Sequence, residues 1–105
     1  MKHFYGGTFI NPEKLKAIGI EYPVKLEYYR TNNECKESNK TKVKYGIEVI
    51  KTSYTKEDVN VETSQIPKII ESETIVNRIL DILKENLITP VSAEYIVEDL
   101  LKELV

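Results

Sequence analysis

At 105 residues the chain has the size of one compact domain burying about two-thirds of its unfolded surface, and 41% apolar with 30% charged residues excludes a disordered tail. No apolar run approaches the roughly 20 residues a spanning helix needs, and MKHFYGGTFI lacks the basic region and apolar core of a signal peptide, so a cytoplasmic location is expected. The net charge of −2 hides an asymmetry: residues 1–60 hold 11 Lys and Arg against 8 acids, residues 61–105 hold 4 against 9, which either steers a partner or, more simply, lets the two parts attract each other.

In chain order, HFYGGTFI places Gly6 and Gly7 inside an aromatic run, the punctuation of a turn, with a short extended piece over Thr8 to Ile10. A phosphate loop needs further glycines and a Lys at a helix start, and the Gly pair has neither. Next, Asn11 is placed to cap a helix, Pro12 suits its first turn and Gly19 suits its end, predicting a short helix from Pro12 to Ile18 within an N-terminal extension over residues 1–22.

Residues 23–71 read as antiparallel strands. PVKLEYYR alternates Val24, Leu26 and Tyr28 on one face with Lys25, Glu27 and Tyr29 on the other. KVKYGIEV repeats the period, with Val43, Tyr45, Ile47 and Val49 inward and Lys42, Lys44, Gly46 and Glu48 outward. The polar residues 31–41 between them predict a long hairpin loop, and the lone Cys35 sits there as an exposed thiol without a disulfide partner. DVNVET predicts a third strand through Val59, Val61 and Thr63, and KII after Pro67 a brief fourth at a sheet edge.

Residues 72–105 switch to helical period. Ser72 is placed as an N-cap, and Val76, Ile79, Leu80, Leu83 and Leu87 form an inward stripe with Asn77, Arg78, Asp81 and Lys84 facing out. Thr89 and Pro90 open a second helix whose Ala93, Ile96, Val97, Leu100, Leu101 and Leu104 make one buried face. The expected fold is α+β: a single domain with an antiparallel sheet of three to four strands, covered on one face by two C-terminal helices, preceded by the short N-terminal helix.

A helix, short turn and helix also describe a DNA-reading unit, which needs basic or amide side chains on the exposed face of its second helix. Here that face carries Glu94, Glu98, Asp99 and Glu103 against Lys102, and a phosphate backbone would repel it. YGIEV at residues 45–49, the Thr89-Pro90 break and the closing VEDLL at residues 97–101 resemble a small clostridial family known only as a domain of unknown function, over about Val24 to Leu101. The Pro12 segment is outside that pattern. The resemblance implies a cytoplasmic protein of a spore-forming anaerobe and carries no catalytic or binding residue onto this sequence.

Chemistry leaves little trace. One His at position 3 and one Cys in a loop form no catalytic pair, the adjacent acids Glu57-Asp58 and Glu98-Asp99 point in different directions, and no spacing suits zinc or calcium. No catalytic residue, cofactor or metal site is therefore expected, and a non-enzymatic interaction or regulatory module is. Its surface is the acidic helix face, Glu94, Glu98, Asp99 and Glu103, for an unidentified protein partner or for self-association, with no membrane. The alternative is single-stranded nucleic acid on the outer sheet face through Lys25, Tyr29, Lys42 and Lys44, with Arg30, Lys51 and Tyr54 near its ends. Glu27 and Glu48 share that face and favour ordinary cross-strand ion pairs.

Overall fold

The computed structural model describes residues 1–11, 13 and 22–105. Strands β1 (Lys2–Ile10), β2 (Val24–Glu37), β3 (Lys40–Tyr54) and β4 (Val59–Ile70) precede helices α1 (Glu73–Glu85) and α2 (Pro90–Leu104). Each strand runs antiparallel to its sequence neighbour, so the sheet order is β1-β2-β3-β4 and every pairing is local in the chain. Both helices pack on one sheet face, completing the α+β architecture.

The alternation along β2 and β3 decides which face that is. Val24, Leu26 and Tyr28 from β2 and Ile47 and Val49 from β3 are buried against Val76, Ile79, Leu80 and Leu83 of α1 and Ala93 and Val97 of α2. These side chains leave water together, and at about 25 cal/mol per Å² their burial is the main force holding the helices to the sheet. Tyr28, fully buried, donates its phenolic hydrogen to the carbonyl of Ile88 at 2.8 Å, which pins the interhelix turn to the sheet. Burial also pushes its pKa up to about 12.

The helices end as their sequences dictate. Ser72 caps α1 by accepting from the Ile75 amide at 3.2 Å, and Pro90 opens α2 behind Thr89. At the other end of α1, the Leu87 amide donates to the Lys84 carbonyl and the Ile88 amide to the Leu83 carbonyl, the paired bonds of a Schellman turn. That turn holds Leu87 at φ 52, and it turns the side chain outward, 44% exposed. Leu87 therefore leaves the inward stripe expected of it, and Ile88 is the half-buried neighbour that packs on the core.

Several expectations are corrected. Residues 31–41 are not a loop: β2 and β3 stay paired from Thr31↔Gly46 out to Glu37↔Lys40, closed by the two-residue turn Ser38-Asn39 with φ of 48 and 64. Both central residues are left-handed, as a type I′ hairpin requires, and right-handed strand twist selects that turn. β4 is one strand through Pro67, accommodated by a register shift opposite Gly46 with Lys68 at φ 54. A Cβ on Gly46 would lie 2.6 Å from the Ile66 carbonyl oxygen and 2.8 Å from the Pro67 Cα, so the close approach of β4 requires glycine there. The N-terminus is a strand of nine residues, Gly6 and Gly7 included, and not a turn. The short N-terminal helix is not supported: its span, Pro12 to Ile18, lies apart from Glu13 outside the described residues. Among the described residues no helix is long and apolar enough to cross a membrane.

Candidate interaction surfaces

The sheet has a second face that no described element covers. Directly opposed residues on neighbouring strands share a face, so cross-strand register assigns it row by row. One row runs Phe4, Tyr29, Glu48, Gln65; the next runs Gly7, Glu27, Ile50, Thr63; a third runs Phe9, Lys25, Thr52, Val61. Tyr54 and Val59 end the same face. Phe4 (62%), Phe9 (61%), Val59 (53%) and Val61 (61%) stay largely in solvent. The rings pair with one another, Phe4 edge-on to Tyr29 at 5.5 Å between centroids and Phe9 tilted against Tyr54 at 6.2 Å.

Charges on this face neutralise each other. Lys25 Nζ lies 3.6 Å from a Glu27 carboxylate oxygen, and Lys2 Nζ lies 3.2 Å from Glu48 while also standing 4.4 Å over the Tyr29 ring. Glu48 is buried although it points away from the helices, roofed by Lys2 and by Gln65, whose amide donates to it at 3.3 Å. Tyr29 donates to Glu27 at 2.6 Å, and that bond to a carboxylate, helped by burial, raises its pKa to about 12. Where β4 shifts register near Gly46, an open groove of about 490 Å³ is lined by Lys2, Thr31, Glu48, Gln65 and Pro67, among others.

Of the residues expected on the basic outer face, Lys25, Tyr29, Lys42 and Lys44 do lie there, with Tyr54. Lys42 and Lys44 both sit within 4 Å of Glu37 on the two-stranded arm. Arg30 and Lys51 do not: they oppose Ile47 and Leu26 and so point to the helix side. Arg30 reaches α1, donating from Nη1 to Glu73 at 2.9 Å and to Asn77 at 3.0 Å, with its guanidinium 5.3 Å from the Tyr45 ring. Beside it Tyr5 donates to Asp81 at 2.8 Å; burial first, then this bond, lifts the Tyr5 pKa to about 12. The polar flank of α1, Asn77 and Asp81, is thus a seam that binds the edge strand rather than a free surface.

The exposed side of α2 differs. Glu94, Glu98, Asp99 and Glu103 are all in solvent, and among the described residues none makes an ion pair or side-chain hydrogen bond. Between them stand Tyr95, 71% exposed, and Val91, 86% exposed, one helical turn apart. Sequence reasoning found the acids and missed the two apolar groups among them. It also missed Phe4 and Phe9, because the bulge between Phe4 and Gly6 breaks the alternation of β1 where a pattern reader looks for it.

A protein-family model, described as a family of unknown function (DUF6514), matches residues 12–103. The chain belongs to this family. The DUF6514 match takes in the Pro12 segment as well as the span from Val24 to Leu101 suggested by the motifs YGIEV and VEDLL. Comparison with curated proteins and with solved structures gives no match for this DUF6514 chain. Among its described residues no three His, Cys, Asp or Glu side chains stand together as a metal-binding group.

Proposed function

We propose that the protein is a non-enzymatic interaction module whose working surface is the exposed side of α2, taking a partner with a basic patch. The observation that carries this is the juxtaposition of four acids that have no partner among the described residues with solvent-exposed Tyr95 and Val91. Unpaired carboxylates attract a basic partner at long range, and an exposed tyrosine between them supplies contact area once it arrives. A regulatory role in the cytoplasm of a spore-forming bacterium is the setting we propose, on the strength of the sequence resemblance.

The experiment is affinity capture from the native cytoplasm, divided into nuclease-treated and untreated halves, followed by binding kinetics of the recovered partner. Reversing Glu94→Lys with Glu98→Lys should slow association several-fold and flatten its salt dependence, while Tyr95→Ala should speed dissociation. A partner whose binding is indifferent to all three changes refutes the reading.

Single-stranded nucleic acid on the outer sheet face is the second reading. Phe4, Phe9 and Tyr54 favour it by joining Tyr29 as stacking surfaces. It ranks lower because Lys25, Lys42 and Lys44 each lie within 4 Å of a carboxylate, which leaves little free positive charge for phosphates. It requires salt-sensitive oligonucleotide binding that Tyr29→Ala with Lys44→Glu abolishes.

A further inference from the structure

We infer that the sheet face left open by the described residues is a dimerisation surface for a second copy of this chain, packed face to face with its two-fold axis running parallel to the strands between the sheets. The charge on the face selects the occupant. Its ionic groups around the aromatic rows are Lys2, Lys25, Glu27 and Glu48, tied in two pairs, so the surface is neutral and offers nothing to a strongly charged ligand. A matching surface must be neutral and apolar as well, and another copy brings one.

Register makes the fit specific. Phe9 and Val61 lie in one row at opposite edges of the sheet, through Lys25 and Thr52. An axis parallel to the strands sets β1 of one copy over β4 of the other, so Phe9 of each copy lies over Val61 of its mate, within the roughly 30° offset of packed sheets. Phe9 of each copy, with Tyr54 of its own copy tilted against it, then meets Val61 of the other, twice over. Lys25 is placed over Thr52 of the mate and Tyr29 near Glu48, and where the two Lys25 side chains approach across the axis each keeps Glu27 of its own copy beside it.

The area suffices for a specific but moderate complex. Four strands about 4.8 Å apart and nine residues at about 3.3 Å give a face of roughly 19 by 30 Å, on the order of 600 Å² from each copy. The pair buries about 1,200 Å², the lower bound of stable specific interfaces. The acidic side of α2 stays free, so the dimer presents two copies of it.

Sedimentation equilibrium on the intact chain, in reductant so that Cys35 forms no disulfide, tests this across a wide concentration range. A monomer–dimer equilibrium is expected, weakened roughly tenfold to a hundredfold by Phe9→Lys or by Val61→Lys and unchanged by Tyr95→Lys. Both substituted residues are exposed in one copy, so circular dichroism should stay native; should Phe9→Lys fail to fold, Val61→Lys carries the test. With Cys35→Ser, the pair Phe9→Cys and Val61→Cys should cross-link between copies on oxidation. A chain that stays monomeric throughout, a dimer unmoved by both lysines, or a monomer that binds mixed-sequence single-stranded DNA through Phe9 overturns the inference.

Discussion

The two faces of the sheet are made from alternate residues of the same strands and have opposite fates. On the helix side Leu26, Tyr28, Ile47 and Val49 are sealed by α1 and α2; on the other, Phe4, Phe9, Val59 and Val61 carry comparable apolar surface into water. The difference lies in what the chain supplies to each face and not in how apolar the face is. Scattered exposed apolar residues are ordinary, but aromatic and aliphatic groups gathered in register on one face, with their neighbouring charges internally matched, are the features on which the proposed dimer rests.

The sharpest way to test the contrast is to truncate one residue from each side. Leu80→Ala empties a site with no exposure and should cost about 2–5 kcal/mol in urea unfolding, whereas Phe9→Ala at dilution, where the chain is monomeric, should cost less than about 0.5 kcal/mol. If Phe9→Ala proves as damaging as Leu80→Ala in the monomer, the outer face is part of the intrachain core and the contrast collapses. Next in size is Gly46→Ala, which drives a methyl against the backbone of β4 and should cost about 1–3 kcal/mol with no change in either face's chemistry.

A smaller effect comes from tyrosine. Tyr28→Phe removes a buried bond and leaves the Ile88 carbonyl unsatisfied, about 1 kcal/mol. The pH dependence follows the same groups. Tyr5, Tyr28 and Tyr29 have folded pKa values near 12 against an ordinary 10.0, so the folded state holds protons that the unfolded chain releases. Their stabilisation is complete below pH 10 and is lost as pH climbs toward 12, which alkaline unfolding followed by tyrosinate absorbance will show. Tyr28→Phe should shrink that loss. Least of all, Leu87→Gly relieves a left-handed leucine and should raise stability by up to about 1 kcal/mol, confirming that this residue belongs to neither face.

What the sequence reveals follows the same division. Val24 to Tyr29 and Tyr45 to Val49 announce their faces because burial on one side imposes a period of two, whereas Val43, expected inward, lies out on the two-stranded arm and is 38% exposed; both helical stripes are legible for the equivalent reason at 3.6. Thr31 to Thr41 is opaque, since a polar two-stranded arm is held by backbone bonds and a Ser38-Asn39 turn that has no glycine to advertise it. Pro67 suggests a break where a register shift lets the strand continue. For the outer surface, Lys25, Tyr29, Lys42 and Lys44 are visible as residue types, but their neutralisation by Glu27 and Glu37 depends on side-chain reach that no linear pattern contains.

The order of elements has a consequence for synthesis on the ribosome. All four strands leave the exit tunnel before either helix, and the helices are the cover for the sheet's most apolar side. At about 5–20 residues per second, the roughly thirty residues of α1 and α2 take a few seconds to follow. During that interval the nascent meander has two open apolar faces and two unpaired edges, and two such chains on one messenger lie close together. A trigger-type chaperone holding the strands until Leu104 emerges would protect this protein more than one whose helices come first.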